Sequence, residues 1–217
     1  MDTNILYVII GLLLLALLFY ATVEVAYFAR LLIGLYMYKL FYIRQKLSIN
    51  TEVHTLGMCL LTDMDFLFHM NHARYLREFE FSRLKYLLAT GLVATANSLN
   101  ADIVITGITI RYRRSIQVFD IYKISNKLIY WSGRDFYIEH RLTTRRDNFV
   151  RTFCIIKMTL TNGVTFEDVL KRLPVKSCNM EPPEPHKDLR CWLEFNKISS
   201  EKLKEEQKTV EAHEISI

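Results

Sequence analysis

The sequence has little glycine, proline and cysteine, and these shortages exclude several classes of protein. Only 7 Gly and 4 Pro occur in 217 residues, too few for a collagen-like or low-complexity chain. The 4 cysteines include no Cys-x-x-Cys pair, which argues against a zinc ribbon or a disulfide-rich scaffold. No Asn-x-Ser/Thr sequon is present, which is evidence against a glycosylated extracellular protein. We therefore interpret the cysteines as reduced thiols: Cys59, Cys154, Cys178 and Cys191.

The composition is that of a globular protein with a modest basic excess. Hydrophobic residues make up 51% of the chain and charged residues 24%, and the formal net charge is +5. The positive charge is concentrated between Asp102 and Thr161, where 11 Lys or Arg face 5 Asp or Glu. A surface of that sign attracts phosphates or anionic lipid head groups. No recognition-helix, RNA-binding or zinc-finger pattern accompanies it, so nucleic acid is not an expected partner.

An uncharged apolar run of 21 residues, Thr3 to Val23, stands at the N-terminus. As a helix it would span about 30 Å, the thickness of a bilayer core. No cation precedes the run, whereas Arg30, Lys39, Arg44 and Lys46 follow it, so the rest of the chain is predicted to face the cytosol. The protein is expected in the endoplasmic reticulum or another internal membrane. The alternative is secretion after cleavage of a signal peptide, although the segment lacks an N-terminal cation and a clear cleavage site.

Four regions follow from this pattern. We predict a transmembrane anchor at 1–29, an amphipathic juxtamembrane linker at 30–50, a folded domain at 51–173, and a Pro-containing joint with a charged C-terminal tail at 174–217. The tail has one amphipathic piece around Trp192 and is expected to be mobile from Ser199.

The folded domain reads as one strand, one long helix and four further strands. The first strand is predicted at Thr51 to Thr62 and the helix at Ala73 to Ala89, with Gly91 as its C-cap. The later strands and a short closing helix are predicted at 103–113, 119–130, 135–144, 149–160 and 165–173. Short turns between the strands favour consecutive antiparallel pairing, which gives an α+β domain. One sheet cannot enclose an apolar helix on every side, so a homodimer is expected.

The segment 63–76, Asp-Met-Asp-Phe-Leu-Phe-His-Met-Asn-His-Ala-Arg-Tyr-Leu, places two carboxylates and two imidazoles before that helix. Helix N–H groups polarise a carbonyl, and a carboxylate there could attack it or activate water. The alternative is that Asn71 caps the helix and that Asp63 and Asp65 are solvated turn residues. Two imidazoles and one carboxylate astride a turn do not predict a metal site.

The run D-x-D-x-x-x-H-M-N-H-A-R-Y-L-R-E-F-E, with R-Y-R-R-S-I-Q-V-F-D later, closely resembles the hotdog-fold acyl-CoA thioesterases. The similarity is closest to their membrane-anchored branch, thioesterase superfamily member six, and covers nearly the whole chain. It implies a hotdog fold, an antiparallel sheet wrapped around one long helix, with an N-terminal transmembrane helix. It also implies a dimer or higher oligomer and no cofactor.

The resemblance assigns roles to residues of the turn and the helix. It implies that Asp65 is the catalytic carboxylate, with catalytic support from His72, Asn71 and Glu80. Substrate contacts are expected from His69, Phe68, Ala73, Tyr75, Arg113 and Arg114. The charge of the two arginines suits phosphates of coenzyme A or of anionic lipids; the alternative is that they are solvent-facing strand residues that keep the sheet soluble. Many active members have Gly at the position of Phe68, and a bulky side chain there is expected to narrow or close the pocket.

The sequence therefore predicts a membrane-anchored protein that hydrolyses fatty acyl-CoA to free fatty acid and coenzyme A. The alternative is a catalytically inactive hotdog module that binds acyl chains or protein partners and influences membrane lipid balance. A pocket that reaches Asp65 favours the first hypothesis, and a packed Phe68 with no cavity favours the second.

Overall fold

The computed structural model describes residues 3–41, 46–175 and 181–214. Its N-terminal unit contains two helices, α1 (Thr3–Thr22) and α2 (Val25–Phe41). By length and composition, the window Thr3–Tyr20 suffices to cross a membrane, and none of it is buried. A signal sequence has the same properties. Helix α1 ends at Thr22, before the predicted anchor boundary at residue 29; Arg44 and Cys178 lie outside the described residues.

The second unit begins at Lys46 and contains one sheet and four helices among its described residues. In chain order the elements are β1 (Val53–Met58), α3 (His72–Thr90), α4 (Leu92–Ser98), β2 (Ile103–Tyr112), β3 (Ile121–Ser132), β4 (Asp135–Thr144), β5 (Val150–Leu160), α5 (Phe166–Arg172) and α6 (Lys187–Glu214). The predicted long helix, the four later strands and the closing helix are thus confirmed to within about two residues. Sequence reasoning missed α4, which follows Gly91 directly.

The five strands form one antiparallel sheet in the order β1-β3-β4-β5-β2. Short turns join β3 to β4 and β4 to β5, as predicted. The prediction of consecutive pairing is wrong for β2, which does not pair with β3. It pairs with β5, from Ile103↔Leu160 to Tyr112↔Thr152. The segment between β2 and β3, residues 113–120, is too long for a tight hairpin, and its Ile116 is buried in the core. It leads the chain past β5 and β4, which leaves β2 at the edge of the sheet.

Helix α3 packs on one face of this sheet, which we call the inner face. Its buried side chains Tyr75, Phe79, Tyr86 and Leu87 belong to the main hydrophobic core. Each stabilises the fold by about 1.5–3 kcal/mol relative to exposure. Gly91 ends the helix at φ +80°, a left-handed conformation that glycine adopts without strain. The side of α3 turned away from the sheet is less covered, because Leu76 keeps 36% of its surface exposed.

The opposite, outer face of the sheet is covered in part by α6. Leu189, Trp192 and Leu193 pack with Tyr137 and Ile155 of the sheet. These helix positions have the i, i+3, i+4 spacing of one helix face. The helix continues to Glu214, so the charged segment from Ser199, for which a mobile tail was expected, is helical. Lys and Glu are strong helix formers, and pairs such as Lys202–Glu206 at 3.6 Å support a helix at i, i+4 spacing.

A buried row of polar side chains connects α3 to three strands. Ser82 Oγ donates to Thr55 Oγ1 at 3.0 Å, and Asn126 Nδ2 donates to Ser82 Oγ at 2.6 Å. Asn126 Oδ1 lies 2.6 Å from His140 Nδ1, so the neutral ring donates from Nδ1. His140 Nε2 has no hydrogen-bond partner among the described residues. Burial, with a smaller effect of Arg83, lowers the pKa of His140 well below its ordinary value.

We predict that His140 makes the domain less stable in acid. Below about pH 6.5 the unfolded chain binds a proton at this ring while the folded protein does not, so stability falls as pH falls. One such group changes the free energy of unfolding by about 1.4 kcal/mol per pH unit. The measurement is the melting temperature of the full chain in detergent micelles between pH 7.5 and 5.0.

The matched variant is His140→Gln, whose amide can still donate to Asn126 but does not titrate. It should melt lower than the unchanged protein at pH 7.5, because the replacement packs less well, and should show a shallower loss toward pH 5.0. Parallel pH profiles for the two proteins would show that His140 does not contribute this dependence.

Candidate active site

The loop between β1 and α3 is closed by its own backbone. A short 3-10 turn, Leu61–Asp63, begins it, and an isolated bridge pairs Met64 with Met70. Asp65 N donates to His69 O at 2.9 Å, and Asn71 N donates to Asp63 O at 2.8 Å. The D-x-D pair and the first histidine therefore occupy one compact turn that leads directly into α3.

Asp65, the predicted catalytic carboxylate, is half-buried in this turn. Its Oδ1 accepts hydrogen bonds from Leu67 N at 2.9 Å and from His69 N at 3.4 Å. These bonds orient the carboxylate. Among the described residues, no hydrogen bond involves Oδ2, so this oxygen keeps its lone pairs for a water or a substrate.

Asp63 has a different role from the one predicted for it. Its side chain is buried, and Oδ2 accepts a hydrogen bond from Leu60 N at 2.9 Å. Arg74 Nε lies 3.9 Å from Oδ1. The prediction that Asp63 is a solvated turn residue is therefore wrong, because its side chain satisfies the backbone of the loop and pairs with the first turn of α3.

The N-terminus of α3 is capped by Asn71, as predicted. Asn71 Oδ1 accepts from Ala73 N at 2.9 Å, so the Ala73 N–H does not point freely at a ligand. The His72 N–H, in contrast, has no acceptor within the part of the chain that the structure describes. A free N–H at a helix start, where the helix dipole is positive, is suited to an oxygen that becomes negative.

Two tyrosines, Tyr112 and Tyr75, pack at the start of α3. The ring of His72 lies 4.5 Å from the ring of Tyr112, whose hydroxyl donates to His72 O at 3.2 Å. Tyr75 is buried and its hydroxyl accepts from Ile116 N at 3.3 Å; burial raises its pKa to about 12. The structure thus makes Tyr75 a packing residue within the chain. Sequence reasoning missed Tyr112. Strand alternation could have indicated it, because it puts the side chain of Tyr112 on the other face of the sheet from Arg111 and Arg113.

Phe68 fills no pocket in the chain. Its side chain is 80% exposed and its backbone has φ +58°, a region that favours glycine. The neighbouring Phe66 is 88% exposed. Phe68 is thus not packed within the single chain, and two aromatic side chains beside Asp65 face solvent; neither described cleft is lined by Asp65 or Phe68.

Glu80 lies in a separate open cleft of about 420 Å³ between α3 and the β2 edge. Ala73, seven residues earlier on the same helix face, lines the same cleft. Asp65 is not among its lining residues. Along the helix axis Glu80 is about 12 Å from His72, so one chain does not bring Glu80 to the carboxylate of Asp65.

Arg113 and Arg114 directly follow the C-terminal residue of β2, Tyr112. Their guanidinium groups stand over the Phe149 ring at 4.5 Å and 4.3 Å, and Arg113 Nη1 donates to Val150 O at 3.3 Å. Arg113 lines a cleft on the outer face of the sheet, whereas Tyr112 beside it contacts His72 on the inner face. Arg113 therefore lines a cleft on the face of the sheet opposite to the one where Tyr112 contacts His72. Within the described residues, no three His, Cys, Asp or Glu side chains form a group that could hold a metal ion.

Comparison with known proteins places this loop inside a family match. The family model described as the thioesterase-like superfamily matches residues 59–193. Protein THEM6 of Drosophila melanogaster is 35% identical over 192 residues, which cover 88% of this chain and 96% of that protein. Protein THEM6 of Xenopus laevis is 34% identical over 150 residues, covering 69% of this chain and 71% of that protein.

Solved structures give the fold. A probable thioesterase, YbaW of Escherichia coli, is similar with a TM-score of 0.50 and 22% identity over 53% of this chain and 90% of that one. A hypothetical protein of Thermus thermophilus is similar with a TM-score of 0.50 and 14% identity over 56% of this chain and 94% of that one. The hotdog fold expected from the sequence is thereby confirmed.

Proposed function

The chain belongs to the thioesterase-like superfamily, and from that premise we propose that its hotdog domain hydrolyses fatty acyl-CoA to free fatty acid and coenzyme A. The observation that supports this most directly is the Asp65 carboxylate, oriented by two N–H groups at Oδ1. It stands in the turn that leads into the N-terminus of α3. A carboxylate near a free helix N–H combines a base or nucleophile with a donor for the oxyanion.

Two routes use this geometry. As a general base, Asp65 takes a proton from water while the water oxygen attacks the thioester carbon; the C–S bond then breaks and the coenzyme A sulfur takes up a proton. As a nucleophile, Asp65 forms a mixed anhydride and releases the thiol, and water then cleaves the anhydride. In both routes the carbonyl oxygen becomes negative, and the free His72 N–H at the positive helix end stabilises it.

The surrounding residues have supporting roles in this proposal. Asn71 positions the helix start through its cap, and the His72 imidazole, held against Tyr112, orients water or substrate. Phe68 and His69 would contact the acyl portion beside Asp65, and Ala73 and Glu80 would contact substrate that extends into the cleft between α3 and β2. The exposure of Phe68 supports its part, because an apolar side chain in solvent gains free energy when an acyl chain covers it.

The test is thiol release from acyl-CoAs of several chain lengths by the full chain in detergent, compared with Asp65→Asn. The amide oxygen of Asn can still accept from Leu67 N and His69 N, so the turn should persist, while the base or nucleophile is lost. We expect kcat/KM to fall at least about 100-fold with an unchanged melting temperature.

The matched control is Asp102→Asn, an exposed carboxylate directly before β2 for which no side-chain hydrogen bond or ion pair is described. It should leave turnover unchanged. Equal turnover by the unchanged protein and by Asp65→Asn, or no turnover with any chain length, would refute the assignment of Asp65 as a catalytic residue.

A second function is favoured by one observation. Asp65 Oδ1 accepts hydrogen bonds from two backbone N–H groups of its own turn. A catalytically inactive module would need the same bonds to hold the turn. Such a module would bind acyl chains or protein partners and influence membrane lipid balance. In the same experiment, saturable binding of an acyl-CoA without thiol release, retained in Asp65→Asn, would support this function over hydrolysis.

We propose further that two copies of the chain associate through the β2 edge. Strand β2 pairs only with β5, and Ile105 and Ile108 on it are 43% and 41% exposed. Both line the open cleft beside α3. A second copy would cover this apolar edge and the exposed side of α3, since unpaired edge strands readily associate, and substrate beside Ala73 and Glu80 would then lie between the two copies.

This dimer predicts different effects at the two sheet edges. In light scattering of the full chain in detergent, the unchanged protein should be a dimer and Ile108→Asp should be a monomer, because a buried unpaired carboxylate opposes association. Leu56→Asp, on the β1 edge and equally apolar, should remain a dimer. A monomeric unchanged protein, or equal dissociation by both variants, would contradict the β2 interface.

For α1 we propose a membrane anchor with the domain in the cytosol, at the endoplasmic reticulum or another internal membrane. The full chain should stay in the membrane pellet after alkaline carbonate, and protease added to intact microsomes should digest the domain. A Leu13→Arg, Leu14→Arg double variant should weaken insertion, since each Arg costs about 2.5–3.5 kcal/mol at a helix centre. A soluble, protease-protected protein that lacks residues 1–22 would show signal cleavage instead.

A further inference from the structure

The outer face of the sheet contains a second cleft, between the strands β2 and β5 and the helix α6. It has a volume of about 450 Å³ and is open to solvent, within the range of small-ligand sites. Arg111, Arg113 and Arg141 line it together with the apolar surfaces of Phe153 and Trp192. Three guanidinium groups beside two aromatic rings are an unusual lining for a structural groove.

This cleft lies on the opposite side of the sheet from Asp65. Successive residues of a strand point to opposite faces, and on β2 the ring of Tyr112 contacts His72 and Tyr75 on the inner face. Arg111 therefore points to the outer face with Arg113. On that face a Cβ added at Gly107 would lie 3.5 Å from Trp192, which shows how closely β2 and α6 approach beside the cleft. The cleft is thus not part of the site proposed for thioester hydrolysis.

The three arginine side chains differ in how many of their N–H groups already have hydrogen-bond or ion-pair partners. Arg141 Nε lies 2.5 Å from Glu139 Oε1, so its charge is shared with that carboxylate. Arg113 donates one hydrogen bond to Val150 O, which leaves further N–H groups. Arg111 pairs with Phe153 through the strand backbone, but its side chain has no hydrogen bond or ion pair among the described residues. The one carboxylate that lines the cleft, Asp188, accepts from Leu189 N and pairs with His186.

We propose that this cleft binds an amphipathic phosphate monoester. A single guanidinium fork satisfies a carboxylate, whereas two available forks on one wall match the three terminal oxygens and the double charge of a phosphate monoester. Phe153 and Trp192 form an apolar wall for the remainder of the ligand. Such a phosphate has two sources, the head group of a phosphatidic-acid-like lipid or a soluble phosphate ester, and both present the same chemistry to the arginines.

Trp192 provides the readout. It lines the cleft and is partly exposed, whereas the other tryptophan, Trp131, is buried in the core. The full chain in phosphatidylcholine nanodiscs is titrated with dihexanoyl phosphatidic acid and, separately, with glycerol 3-phosphate, and tryptophan emission is recorded. We expect a saturable change that is absent in Trp192→Phe.

The variants separate specific binding from general attraction to positive charge. Arg111→Gln removes a side chain without a described partner, so the fold should be unaffected, and it should weaken binding about tenfold; adding Arg113→Gln should abolish it. Arg134→Gln makes the same charge change in the turn between β3 and β4, at the other end of the strands. It should alter affinity less than about twofold.

The two titrations distinguish the sources. Saturation by both compounds, at a lower concentration for dihexanoyl phosphatidic acid, indicates that soluble phosphate esters also bind, and saturation by dihexanoyl phosphatidic acid alone indicates a lipid head group; either result supports the site. Saturation by both compounds at the same concentration would show that the apolar wall does not contribute and would overturn the amphipathic ligand. No saturable change with either compound, or equal weakening by Arg111→Gln and Arg134→Gln, would overturn the site.

Discussion

The packing of α3 against a five-stranded sheet is the constraint on which the rest of this structure depends. Its core residues, from Tyr75 to Leu87, are buried against the inner face, and the row from Ser82 to His140 fixes its position by directed hydrogen bonds. Because the helix is held so firmly, the loop at its N-terminus can hold Asp65 in one orientation. The same packing leaves the far side of α3 and the edge of β2 uncovered, which is the physical basis for expecting a second copy there.

The two faces of the sheet have different chemistry. The inner face holds the apolar core, the capped helix start and the carboxylate turn, which is the site we propose for thioester hydrolysis. The outer face holds α6 and a cleft with arginine and aromatic side chains. Successive side chains of β2 point to opposite faces, so Tyr112 contacts the helix start on the inner face while Arg111 lines the cleft on the outer face. Two ligands of different chemistry could therefore bind to one domain without competing for the same residues.

Phe68, which stands where many active family members have Gly, lies in solvent and does not fill a pocket of the single chain. A large residue with a positive φ is unfavourable by itself, and exposure of the same ring to water adds to the cost. Phe119, at φ +64°, is a second exposed phenylalanine with such a backbone. Both residues gain free energy if an apolar partner covers them, and an acyl chain or a second copy of the chain has suitable chemistry.

Local sequence signals determined much of this protein. The bounds of α3 and β4, the Asn71 cap, the Gly91 terminus and the family motif around Asp65 could all be predicted, because each depends on residues close in sequence. Tertiary structure alone decided that β2 joins β5, that Asp63 is buried, and that Arg113 lines a cleft on the outer face of the sheet. Each of these depends on which distant segments meet, and a pattern of neighbouring residues contains no information about partners that become adjacent only after the chain has folded.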